Sequence, residues 1–575
     1  MKKLFWIFIA SPVLFSARIW AQETVKDTVF LIPFADTVLL DEVVVKAHKT
    51  IPMNNRWSDL QPVDLVTVAG ANGNLYKALE TLPGTQIQGE SGRLLVRGGS
   101  SDETQTYIDG MHVLNPYTST AENTPARGRY SPFMFSGINL STGGHSQEYG
   151  EALSAVLPLE TKDNSRINKV GISPSTVGIG GGGNHAFRNA SLALNLDYQN
   201  LALYNKVYPG RIDFKKPYQM FSGATQFRYT PSGSSVFKIY VGYDRTDYSN
   251  YTDNNRYLFC LGENNVYLNS TFRTAISGGW EWFSGMAYSL FDRKVDGAVT
   301  EGDHWCEKQA ELHFKTKLSK KFHPTFRMDV GFESFLRWYE TRYSQVSVAD
   351  TKEISPTIEA VFGTVSYYPV ENLKAELSFR TEYASLARKI NFSPRLSFSY
   401  SWCDLVLSAT AGRYTQLPNA KYLAQQPSLL SEACRQYNVG GLYKAAGRFY
   451  KAEFYYKKYD RLVLYTPAGL TSGGYGSSKG VDLYFEDRSL MRNLECNLSY
   501  SFNLSQRKYL EYTELTTPQY ATRHNASLVL KYSLTKLRTI VALTERFASG
   551  RPYHNPVRSG LMNDETKPYL SLIHI

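Results

Sequence analysis

After its N-terminal segment the sequence offers no run of about 18 uncharged apolar residues, the length a membrane-spanning helix needs. A helical membrane span is therefore excluded. Cysteine is scarce, with five residues at Cys260, Cys306, Cys403, Cys434 and Cys496 and no CxxC spacing. That excludes a disulfide scaffold and argues against a structural zinc site. The ten histidines show neither HxxxH nor HExxH spacing; the nearest approach to a ligand set, Asp303, His304, Cys306 and Glu307, is too irregular to predict a metal. No nucleophile elbow, phosphate loop or paired catalytic carboxylates stand in a suitable context, so neither an enzyme nor a resident cofactor is expected. Gly178 to Gly183 reads GIGGGG and matches GxGxxG, but a dinucleotide site needs a helix next. The alternating stretch NASLALNLDY follows instead. The formal net charge is +11, yet Lys and Arg are scattered, with no basic helix or binding motif. Nucleic acid is not an expected partner; a solvated or lipid-facing surface is.

What the chain does have is aromatic residues, 14% of 575, including 41 Tyr and 30 Phe. It also has an export signal. Lys2 and Lys3 precede an apolar stretch, Leu4 to Phe15, too short to span a bilayer, and Ala21 offers a cleavage point before Gln22. Ile19 is bulkier than the usual residue two places upstream of it. Mean hydropathy is low, −0.33, as expected of a transmembrane β-barrel, where only every second side chain need be apolar.

The alternation supports that reading. In SSVFKIYVGYD (Ser234 to Asp244), Phe237, Ile239, Val241 and Tyr243 share an apolar face. LKAELSFRTEY (Leu373 to Tyr383) sets Leu373, Ala375, Leu377 and Phe379 against Lys374, Glu376, Ser378 and Arg380. RFYKAEFYYKKY (Arg448 to Tyr459) repeats the theme. Short turns near 230, 275, 319, 367 and 444 alternate with longer loops near 247–265, 292–306, 338–356, 415–435, 459–475 and 505–521, the connectivity of an outer-membrane barrel. About 18 strands can be counted from 166 to 547. Their parity is wrong for a first loop outside, so one more strand is expected within 163–217, where Gly and Pro blur the pattern. Nineteen strands would leave the wall unclosed, and the chain is expected to lack C-terminal barrel sequence.

Ahead of the strands lies a Gly-rich segment. It resembles, in the order LYKALETLPGTQI, GRLLVRGGSSDETQTYIDGMHV and INLSTGGHSQEYGEALSAVLPLETKD, the plug domain of TonB-dependent outer-membrane receptors. The barrel segments GRYTQLPN, EFYYKKYDRLVLY, GYGSSKGVDLYFE, LSYSFNLS and FASGRPYHNP continue the likeness. The resemblance implies a mostly β fold: a transmembrane antiparallel barrel, about 22 strands when complete, with a small α+β plug in its lumen. The domains expected are a signal peptide (1–21), an N-terminal extension (22–50), a plug (51–165) and a barrel (166–575). LLDEVVVKA resembles a TonB box in the style of Bacteroidetes receptors. Leu40, Asp41, Glu42, Val43, Val44 and Val45 would then add as an extended strand to the TonB energy-transducing complex. No extra N-terminal β-sandwich domain, typical of the glycan importers, is evident.

The expected role is import of a scarce extracellular solute from the cell outer membrane; a non-transporting surface receptor or adhesin on the same scaffold is the alternative. Iron chelate, cobalamin, peptide and oligosaccharide all stay open as solute. Outer-membrane lipid, including lipopolysaccharide, is an expected partner, and a surface lipoprotein is a further candidate. Arg97, Gly98, Gly99, Asp109 and Gly110 are expected to form plug turns, with Arg97 and Asp109 as fixed or mobile charge contacts to the wall. Tyr117, Arg127, Arg129 and Tyr130 are the candidate solute contacts on an outward-facing loop, Arg being suited to carboxylate or phosphate. A disulfide between Cys260 and Cys306 is a further expectation, on the premise that they sit on successive outward loops.

Overall fold

The computed structural model describes residues 62–552, apart from 72, 87–90, 120–125, 163–167, 176, 208–212, 252–256, 299, 346–347, 513 and 538. The signal segment and Leu40 to Val45 lie outside the described residues. Twenty strands, from Lys169–Ser175 to Thr539–Ala548, form one closed barrel. Two of them are halves of a single stave. Val348–Ile354 and Thr357–Val370 pair end to end with the same neighbour, Phe326–Gln345, through Tyr339↔Ile354 and Leu336↔Thr357. Between them sits Pro356, which has no N–H for the ladder. The wall therefore has nineteen staves, one more than the alternation alone revealed. The blurred region holds three short strands, Lys169–Ser175, Gly178–Ala186 and Ala190–Asn200.

Two expectations need correction. The wall is not left open, because the last strand lies beside the first; with nineteen staves those two run in the same direction, which a sheet accommodates. Several expected loops are also tight hairpins. Strands of up to 20 residues run on past the membrane band, so the stretch near 459–475 is a ladder ending at Thr466↔Gly469. The connections at 201–213, 417–431 and 509–523 remain long.

The burial pattern is inverted relative to a water-soluble sheet. On strand His304–His323, Glu311, His313 and Lys315 are buried, while Leu312, Phe314 and Leu318 are exposed. Leu377 (62%) and Trp402 (64%) are among the most exposed side chains of the wall. Apolar residues outside and charges inside suit lipid around the cylinder and a polar filling within it.

The filling is the plug. Its four-stranded sheet runs Met111–Val113, Thr104–Ile108, Ala155–Thr161, Phe135–Ile138 in spatial order. Two short helices, Pro62–Val66 and Leu75–Leu79, pack against it, and Asn74 caps the second by accepting from Tyr76 N. Leu75, Leu79, Leu94, Ile108 and Leu157 close an apolar core that continues into Tyr240 and Tyr267 of the wall.

Candidate functional site: the plug seated in the lumen

The Arg-Gly-Gly turn is where the wall grips hardest. Arg97 (φ 49°) and Gly98 (φ 70°) follow the short strand Leu95–Val96, and Gly99 N donates to Val96 O at 2.8 Å. Positive φ at both central positions marks a type I′-like turn, natural for Gly and strained for Arg. The Arg97 side chain compensates. Its Nε donates to Asp482 at 2.7 Å, its Nη1 to Asn438 at 2.9 Å, and its Nη2 pairs with Glu453 at 2.9 Å. The guanidinium also lies 4.5 Å from the Tyr455 ring centroid. Lys451 joins Glu453 at 3.1 Å, so two cations face two carboxylates out of contact with water. Although burial opposes it, Glu453 and Asp482 raise Arg97 above its ordinary pKa.

The next residues are held as firmly. Arg507 donates to Gly98 O at 2.7 Å and to both Glu103 oxygens, and its guanidinium lies 3.9 Å from the Tyr459 ring centroid. A Cβ at Gly98 would fall 2.7 Å from Ser478 Oγ, so the wall leaves room only for glycine.

The second turn, Asp109 (φ 50°) and Gly110 (φ 84°), joins Thr104–Ile108 to Met111–Val113. Asp109 accepts from Thr161 N at 2.9 Å and Thr161 Oγ1 at 2.6 Å, with Lys238 of the wall at 3.3 Å. Both residues are thus paired in this structure, Arg97 with Asp482 and Glu453, Asp109 with Thr161 and Lys238. Beyond the turn, His112 Nδ1 meets Glu311 at 2.6 Å and its Nε2 meets Gln105 Oε1 at 2.9 Å. Gln105 Nε2 donates to Asp102 O at 2.8 Å, which fixes the amide, so both His112 nitrogens face acceptors. Glu311 also accepts from Arg337, which holds Glu151 at 2.6 Å; Glu151 in turn accepts from Leu417 N at the start of an outer loop.

Of the four residues expected on the outward-facing loop, Arg129 and Tyr130 are buried, whereas Tyr117 and Arg127 are half-buried. Arg129 is buried against Asp244 and Glu263 of the wall, its charge already matched. Tyr130 sits between Tyr240 and Tyr267, and burial pushes its phenol up. Tyr117 accepts from Leu94 N at 3.2 Å and lies against Tyr76. Arg127 is half-buried, and burial lowers its pKa. The wall carboxylates that claim Arg129 lie more than a hundred residues away in sequence, so no local pattern announced them.

The expected disulfide is also corrected. Cys260 and Cys306 are free. Cys260 pairs with Asp296 and Cys306 with Lys294, both on the stave between them. Two strand spacings across the sheet and two residues along it put the cysteines roughly 12 Å apart, beyond disulfide reach. Gly178–Ala186 is a wall strand, as its alternating sequel indicated. Among the described residues no cluster is fit to hold a metal.

His145 was not singled out in the sequence. Its ring lies 4.4 Å from that of Tyr414, tilted by 51°, and among the described residues neither ring nitrogen has a hydrogen-bond partner. Burial, then Arg395 and Lys457, hold it well below the usual histidine range. It borders a cavity of about 10 Å³ with Asn139 and Ser141.

Residues 66–156 match the TonB-dependent Receptor Plug Domain family. No protein of curated function matches the sequence. Solved structures share the fold at low identity. The outer membrane transporter YddB from Escherichia coli is 12% identical, with 85% of each chain covered and a TM-score of 0.67. The siderophore receptor PirA from Acinetobacter baumannii is 11% identical, covering 92% of this chain and 91% of its own, with a TM-score of 0.68. The copper transporter OprC is 12% identical, at 83% and 82% coverage and a TM-score of 0.65. Plug and wall together define the class: residues 66–156 are a TonB-dependent receptor plug domain, and they cork a closed β-barrel whose fold these solved structures share. Proteins of this class sit in the outer membrane and are receptors or transporters, not enzymes.

Proposed function

We propose that the chain imports a scarce extracellular solute, with the energy delivered through TonB to the segment Leu40 to Val45. The observation that carries this reading is the clamp on Arg97. Removing one partner of a buried ion pair costs about 3–5 kcal/mol. The plug is held by several such pairs, around Arg97, Arg129, Arg337 and Arg507. Thermal motion does not clear such a lumen on a useful timescale, so passage requires work, and a pull on the N-terminal extension supplies it from the periplasmic side. Tyr117 and Arg127, only half-buried, are the remaining solute contacts of the outward-facing loop.

Fold relatives are named for siderophores and copper. Ferric chelates and copper are therefore the first solutes to assay in cells lacking other importers. Val44→Pro removes a backbone donor and disrupts strand addition. It should abolish energised accumulation while leaving surface binding intact. Undiminished accumulation would refute the coupling role.

A further inference from the structure

On the outer face of the wall, like charges are placed side by side. Arg413 pairs directly across from Arg435, and Arg435 directly across from Lys458. Three neighbouring staves thus carry a row of cations at one height. Like charges opposite one another destabilise an antiparallel pair, so the row calls for a counter-charge. The protein supplies little. Asp460 lies 3.5 Å from Arg435, and Arg413 donates to Phe392 O at 2.7 Å. Among the described residues no ion pair is found for Lys458, or for Lys479, which pairs across from Tyr456 one row nearer the membrane centre.

The row faces lipid, not the lumen. Arg435 and Lys458 are exposed, whereas Cys434, Gln436, Lys457 and Tyr459 on either side of them are buried. Tyr414, next to Arg413, points inward onto His145. The height is set from both sides. Toward the membrane centre lie Tyr437 and Tyr456, exposed and stacked at 6.2 Å, as interfacial aromatics do at headgroup level. Away from it the chain runs into the long outer loop 417–431. Cations with a fixed spacing just above an aromatic belt match anionic headgroups in position and charge.

We infer that Arg413, Arg435 and Lys458, with Lys479 below them, form a binding site for the phosphate groups of an outer-leaflet lipid. The inference rests on the outer-membrane placement of the barrel. The site fixes the barrel's height and rotation against the leaflet on the side where loop 417–431 meets the plug.

The test uses full-length protein extracted from outer membranes in mild detergent, with retained lipid counted by native mass spectrometry. Wild-type protein is expected to keep phosphate-bearing lipid. The triple variant Arg413→Gln/Arg435→Gln/Lys458→Gln should retain it about a hundredfold more weakly, from three surface cations removed. Lys320→Gln, on the opposite rim, should behave as wild type. Phosphatase-treated lipid should fail to rebind, and millimolar inorganic phosphate should not displace the native lipid. Equal retention by the triple variant, or displacement by inorganic phosphate, would overturn the inference while leaving the barrel reading intact. Heat-modifiable migration of each variant reports a folded barrel. Wild-type protein recovered outside the outer-membrane fraction would overturn the membrane placement and the inference together.

Discussion

Two parts of the plug meet the same wall by different means. Residues 62–86 make neutral or singly charged hydrogen bonds: Ser499 and Ser527 each donate to Thr81 O at 2.7 Å, Gly84 N donates to Ser501 at 2.7 Å, and Lys531 and Arg546 donate to Asp64 O and Lys77 O at 3.0 Å. Glu80, paired with Arg546 at 3.1 Å, adds an ion pair. Residues 97–151 are held by buried ion pairs, at Arg97, Glu103, Arg129 and Glu151. A neutral bond is worth about 1 kcal/mol net, whereas a buried pair is several times harder to break from one side. Under the proposed coupling, a pull from the N-terminus would meet the weaker attachments of 62–86 before the ion pairs that begin at Arg97. The entry segment would then yield while the sheet stays seated.

Arg97→Ala should blur that contrast most. It strands Glu453 and Asp482 without their guanidinium, and the plug should lose about 3–5 kcal/mol of its seating. Urea-dependent conductance in planar bilayers should show the lumen opening at a markedly lower denaturant concentration.

A pH effect should come next. His145 is held neutral in the folded plug. Below about pH 6.5 the unfolded chain takes up a proton that the folded chain refuses, so stability present above that pH is lost as pH falls, by up to about 1.4 kcal/mol per unit. His145→Phe keeps a ring against Tyr414 and removes the titration; its stability difference between pH 7 and pH 5 should shrink. An unchanged slope would mean that other groups carry it.

The smallest effect is expected at the entry segment. Ser499→Ala and Ser527→Ala should each cost about 1 kcal/mol, read as faster proteolysis within 62–86 with protection of 97–113 unaltered. Equal loosening of both regions would show that the plug yields as one body.

Much of the wall was legible because its signal is local. The alternation in Leu373 to Tyr383 states which face meets lipid, and Leu377 and Phe379 are indeed outside with Arg380 inside. The count fell one short where Gly178–Ala186 carries too few side chains for a face to show. The two Gly turns were legible because positive φ has few ways to be written. The functional residues were less so. The chemistry of Arg129 suited a ligand anion, but the wall had supplied two anions already. Cys260 and Cys306 looked like neighbours, but an intervening stave keeps them apart.

By itself, then, the sequence determined the class of object, since a two-residue period and short glycine turns act over a few residues and need no partner. Only the tertiary structure decided which charges are spent and which are spare. Burial and pairing depend on groups brought from hundreds of residues away: Arg97 is neutralised by Asp482, while Lys458 lies in a row of its own kind.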